Sequence, residues 1–91
     1  AYSGLGDVYL KMEAFNEAHK QLDIALDLAT KAGDNQMICE VYLAQGKTYT
    51  AEQKPQKALE LYNLGIALCR KGNLANMLLV FEEKVAQLNN N

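Results

Sequence analysis

The chain has 91 residues, 49% of them hydrophobic, with a single proline and a formal net charge of −2. That composition belongs to a folded chain of one-domain size and not to a disordered one. No run of like charge exceeds two residues, and the longest apolar run, Met77-Leu78-Leu79-Val80-Phe81, falls far short of the roughly 20 residues that span a bilayer, so neither nucleic acid nor membrane insertion is expected.

Taken in order, Tyr2, Leu5, Tyr9 and Met12 recur at helical spacing and predict a first helix. The Glu13-Ala14 step reads as a turn, after which Phe15, Ala18, Leu22, Ala25, Leu26 and Ala29 predict a second helix. Gly33 follows its last turn, where a left-handed residue closes a helix, and Lys31 suits the negative end of the dipole. Asp34 or Asn35 is placed to cap a third helix, whose apolar face is Ile38, Val41, Tyr42 and Tyr49.

Lys54-Pro55 predicts the next helix start, because proline's missing N–H has no partner in a first turn anyway. Ala58, Leu59, Tyr62, Ile66 and Cys69 then form its apolar stripe. Gly72 after Arg70-Lys71 reads as its end, and Asn73 as the N-cap of a fifth helix carrying Leu74, Met77, Leu78, Phe81, Val85 and Leu88.

Displacing the sequence against itself by 40 residues superposes Tyr2 on Tyr42, Gly6 on Gly46, Tyr9 on Tyr49, Ala18 on Ala58, Leu28 on Leu68 and Lys31 on Lys71. A period between 20 and 50 residues marks a solenoid. The expected fold is all-α: two antiparallel helix pairs plus a C-terminal helix, in a single domain over residues 1–91. The first unit spans 1–34, the second 35–72 and the closing helix 73–89, the whole being read as a fragment of a longer array.

Little in the chain points to chemistry. Cys39 and Cys69 sit among apolar residues, where a thiol packs as a small hydrophobe. With one histidine they do not make up a four-ligand zinc site, and unpaired thiols fit a reducing, cytoplasmic location. His19 has no nucleophile at a defined spacing and reads as an exposed helix-surface residue. Gly4-x-Gly6 lacks the preceding strand and third glycine of a phosphate loop, and Asp23, Asp27, Glu82 and Glu83 read as solubilising charge. No enzyme activity, metal or cofactor is expected.

Tyr2-x2-Leu5-Gly6-x2-Tyr9 followed by Ala18, Leu22 and Ala25 resembles the tetratricopeptide repeat, and Tyr42, Gly46, Tyr49, Ala58 and Tyr62 repeat the pattern with Gln45 in place of Leu and Gly65 in place of Ala. Thr30 stands where the family closes with proline. The 40-residue period is similar to the family's extended subclass, as in kinesin light chains and G-protein-signalling modulators.

The resemblance implies a helical solenoid that binds a protein or peptide in a concave groove lined by the first helix of each unit. Carried over by position, that groove would show Ser3, Asp7, Leu10 and Lys11, then Glu40, Leu43, Lys47 and Thr50, then Glu82 and Ala86. The family's carboxylate clamp is absent, because its positions hold Ser3, Asp7, Ala44, Leu79 and Glu83. Two further readings stand beside the groove: self-association through exposed end helices, giving a homodimer of the isolated fragment, and a sensor domain regulating an attached module. Val85, where the pattern wants Gly, suggests that the array changes character near residue 91.

Overall fold

In the computed structural model of the chain, the backbone is described for residues 4–90 and the side chains for residues 12–90. Four helices follow one another: α1 (Gly4–Ala32), α2 (Asn35–Ala51), α3 (Pro55–Gly72) and α4 (Ala75–Asn89). Each packs on the next, and the connectors of two or three residues reverse the chain between them, which makes the fold an all-α helical repeat.

The predicted turn at Glu13-Ala14 is not formed. α1 runs through it, so the first two predicted helices are one and the described residues hold four helices in place of five. The physical reason lies in the residues: Met12-Glu13-Ala14-Phe15-Asn16-Glu17-Ala18 contains no glycine or proline, and most of it favours helix. Forty residues later Phe15 is replaced by Pro55, which disfavours helix at the preceding residue, and there the chain does turn.

All three turns are built alike. Gly33, Gln53 and Asn73 lie 20 residues apart and adopt left-handed backbone, with φ of 68°, 64° and 57°. At the first, the Gly33 N–H donates to the Thr30 carbonyl and the Asp34 N–H to the Ala29 carbonyl, both at 3.1 Å, the paired bonds of a Schellman ending. Gln53 to Thr50 and Lys54 to Tyr49 repeat it at 3.0 and 2.9 Å, and Leu74 donates to Cys69 at 2.9 Å.

Asp34 accepts the Met37 N–H at 3.1 Å, as an N-cap does, and Pro55 occupies the first turn of α3. Asn73 does not cap α4. It closes α3 in left-handed backbone, with Gly72 still helical, and Leu74 precedes α4 without a side-chain cap.

The buried core is Cys39, Ala58, Tyr62, Cys69 and Phe81, contributed by α2, α3 and α4. Two glycines organise it. A Cβ on Gly46 would overlap the Tyr62 ring, and one on Gly65 would overlap the Phe81 ring, so each aromatic seats against the bare backbone of the preceding helix. Tyr62 and Phe81 then meet edge to face, with centroids 6.2 Å apart. Gly65 is thus more than a weak substitute for alanine. α1 contributes only Ala29 to the fully buried set among the described side chains, and it is attached chiefly through α2.

Candidate peptide-binding groove

The groove residues predicted on α2, namely Glu40, Leu43, Lys47 and Thr50, recur along one stripe of that helix. Glu40, Lys47 and Thr50 are exposed, while Leu43 is half-buried and packs against the core. Ser3 lies outside the described residues, as do the side chains of Asp7, Leu10 and Lys11. Glu82 and Ala86 of α4 are exposed.

Lys47 and Thr50 are brought together with α4 by a cavity of about 150 Å³. Its walls are Lys47 and Thr50 on one side and Lys84, Gln87 and Leu88 on the other, and Tyr62 of α3 is also part of its lining. Because Tyr62 is held by Gly46 behind it, the same small residue that lets α3 approach α2 also fixes one wall of this cavity. The Thr50 hydroxyl donates to the Gly46 carbonyl at 2.9 Å, which leaves its oxygen able to accept a further hydrogen bond.

Lys84, Gln87, Leu88 and Tyr62 were not among the residues inferred from sequence. Carrying the α2 stripe onto α4 leads to Glu82 and Ala86, whereas the wall of the cavity is the flank of α4 turned toward α2. That flank carries the i, i+3, i+4 set Lys84-Gln87-Leu88, a signal visible in the sequence once the lean of α4 is known.

The charges differ along the molecule. Lys31 pairs with Asp27 at 3.0 Å and Lys54 with Glu52 at 3.4 Å, but among the described residues neither Lys47 nor Lys84 has a carboxylate within 4.0 Å.

His19 is not the exposed surface residue expected. Its side chain is 19% exposed, it stacks on Tyr49 with ring centroids 4.3 Å apart, and its Nε2–H donates to the Glu52 carboxylate. That hydrogen bond holds Glu52 below the usual carboxylate range and ties α1 to the turn after α2. Gln45, where the family pattern has leucine, is buried and donates to Asp23 at 3.3 Å, with its Oε1 unpartnered among the described residues.

The thiols of Cys39 and Cys69 lie 3.5 Å apart in the core. Burial first, then the hydrogen bond with Cys69, pushes the Cys39 thiol up to about 12, so it stays protonated and is a poor nucleophile at neutral pH. A wider hollow of about 910 Å³ between Glu13 and Asp23 is bounded by α1 alone and has no second wall. Among the described residues no cluster of three or more His, Cys, Asp or Glu side chains could hold a metal, and no helix is long and apolar enough to cross a membrane.

Compared with known proteins, the chain has no match among curated sequences and none among solved structures. The tetratricopeptide repeat family, by contrast, matches over residues 1–71, the stretch that holds the 40-residue repetition, the Gly46–Tyr62 seat and the α2 wall of the cavity. With most of its length accounted for by that pattern, the chain belongs to the tetratricopeptide repeat family.

Proposed function

We propose that the chain is a binding module that holds an extended segment of a partner protein along the groove between α2 and α4, with Glu40, Leu43, Lys47, Thr50 and Glu82 on its surface and, by repeat register, Ser3, Asp7, Leu10 and Lys11 as further contacts. The observation that carries this reading is the cavity that joins Lys47 and Thr50, two positions assigned to the groove by repeat register, to α4. Membership of a family whose members serve generally as protein–protein interaction modules supports it. Among the described residues the Cys39 thiol stays protonated and His19 is engaged by Glu52, so neither is free to act on a ligand in the groove. Thiols 3.5 Å apart and unbridged fit a reducing compartment such as the cytoplasm.

The test is retention of peptides selected from a random display library. Lys47→Ala/Thr50→Ala should weaken the selected peptides about tenfold while far-UV circular dichroism and melting temperature stay put, because both side chains are exposed. Undiminished affinity would overturn the groove.

A second reading, self-association, is favoured by one feature. Ile24 and Leu28, one turn apart on α1, are 52% and 61% exposed, and Leu79 on α4 is 65% exposed. Sedimentation equilibrium across concentration should then show a dimer that Leu28→Lys abolishes, and a strict monomer at all concentrations removes this reading.

A further inference from the structure

The lining of the cavity between α2 and α4 is selective in charge. Acidic residues outnumber basic ones in the chain, 11 to 9, yet of the six residues around this cavity two are lysines and none is acidic. Lys31 and Lys54 are each neutralised by a neighbouring carboxylate, while Lys47 and Lys84 face the same small space without one among the described residues. Lys84 is half-buried, so its attraction for an anion in this space is screened less by solvent than that of a fully exposed lysine.

Size and shape narrow the anion. The cavity, about 150 Å³, has room for a carboxylate with its one or two methylenes. The Tyr62 ring and Leu88 supply apolar walls for those methylenes, and the Gln87 amide, whose bond to Glu83 at 3.4 Å uses one N–H, has a second to offer. Leu43 and Glu40 continue the stripe of α2 beyond Lys47, which gives a bound segment further surface on one side of the cavity.

We infer that this cavity receives the side-chain carboxylate of an aspartate or glutamate within the partner segment, held between Lys47 and Lys84. The inference rests on the groove reading above and specifies what that groove recognises. It differs from capture of a chain terminus, for which the five clamp positions carry no cation.

The experiment is a selection from a random decapeptide library displayed with both peptide ends fused, so that only internal side chains can supply a carboxylate. For the unaltered chain, one position should be enriched in Asp and Glu about threefold over the starting library. Replacing that acid by its amide in a synthetic peptide should weaken binding about tenfold, as should Lys47→Gln/Lys84→Gln in the protein. Lys47→Glu/Lys84→Glu should turn the same position toward Lys and Arg, a gain that mere misfolding does not produce.

Peptides that bind without any acidic preference, or whose binding ignores the double glutamine variant, would overturn this inference and leave the groove standing. Enrichment only from a library with unfused C-termini would also overturn it, in favour of a terminal carboxylate. If no peptide is retained from either library, the groove reading falls with it.

Discussion

Gly46 and Gly65 each admit an aromatic ring where any side chain would collide with it. Gly65→Ala should therefore destabilise the chain by about 1–2 kcal/mol, as overpacking against Phe81 outweighs the gain in helix propensity. Gly72→Ala is the control: its nearest neighbours are 3.6 Å away and the change should stay within about 0.5 kcal/mol. Urea denaturation of both variants checks the contrast, and equal midpoints would remove the steric account. At this scale the sequence was informative where a residue's size alone decides its place, as for Gly46 and the apolar stripes. It did not disclose the role of Gly65, which depends on which ring the next helix delivers, or of Gln45, and it misread His19 as exposed, because the partners Asp23 and Glu52 lie 22 and 33 residues from Gln45 and His19.

Turns rather than helices carry the pattern of the elements. Left-handed backbone recurs at residues 33, 53 and 73, but only the first of these is glycine; Gln53 and Asn73 take the same conformation against their Cβ atoms. Gln53→Gly should raise stability by about 0.5–1 kcal/mol, the relief of that crowding less glycine's greater unfolded-chain entropy, read as a shift in the urea midpoint at unchanged slope. The same 20-residue step back from Gly33 reaches Glu13, where the sequence did suggest a turn. Helix periodicity is equally satisfied by one straight helix or two, and the choice falls to whether a breaker is present. Pro55 supplies one and Phe15 does not, which is why the chain turns before Pro55 but runs straight through Glu13-Ala14.

As a whole the molecule is long and flat, 52 by 33 by 17 Å, with a radius of gyration of 14.6 Å against about 12 Å for a compact chain of this length. Its core is correspondingly thin, and the Cys39–Cys69 pair joins α2 to α3 at its centre. Because the Cys39 thiol is raised from 9.0 to about 12 in the fold, the unfolded chain releases its proton first as pH rises. The stabilisation is complete below pH 9 and declines between 9 and about 12. Denaturant midpoints should fall across that window, and Cys39→Ala should flatten the decline; an unchanged slope would show that this thiol is not its source. Of the groove, the α2 wall was accessible from repeat register, whereas the α4 wall depends on how a helix leans, which no residue spacing encodes.

The rings lodged in glycine notches give the stack a mechanical direction. Phe81 of α4 sits in the notch of α3, and Tyr62 of α3 in that of α2, so every catch points back toward the N-terminus. Separating α4 from α3 would both empty the Gly65 notch of Phe81 and part Lys84 from Lys47, so the two-walled cavity persists only while that notch is filled.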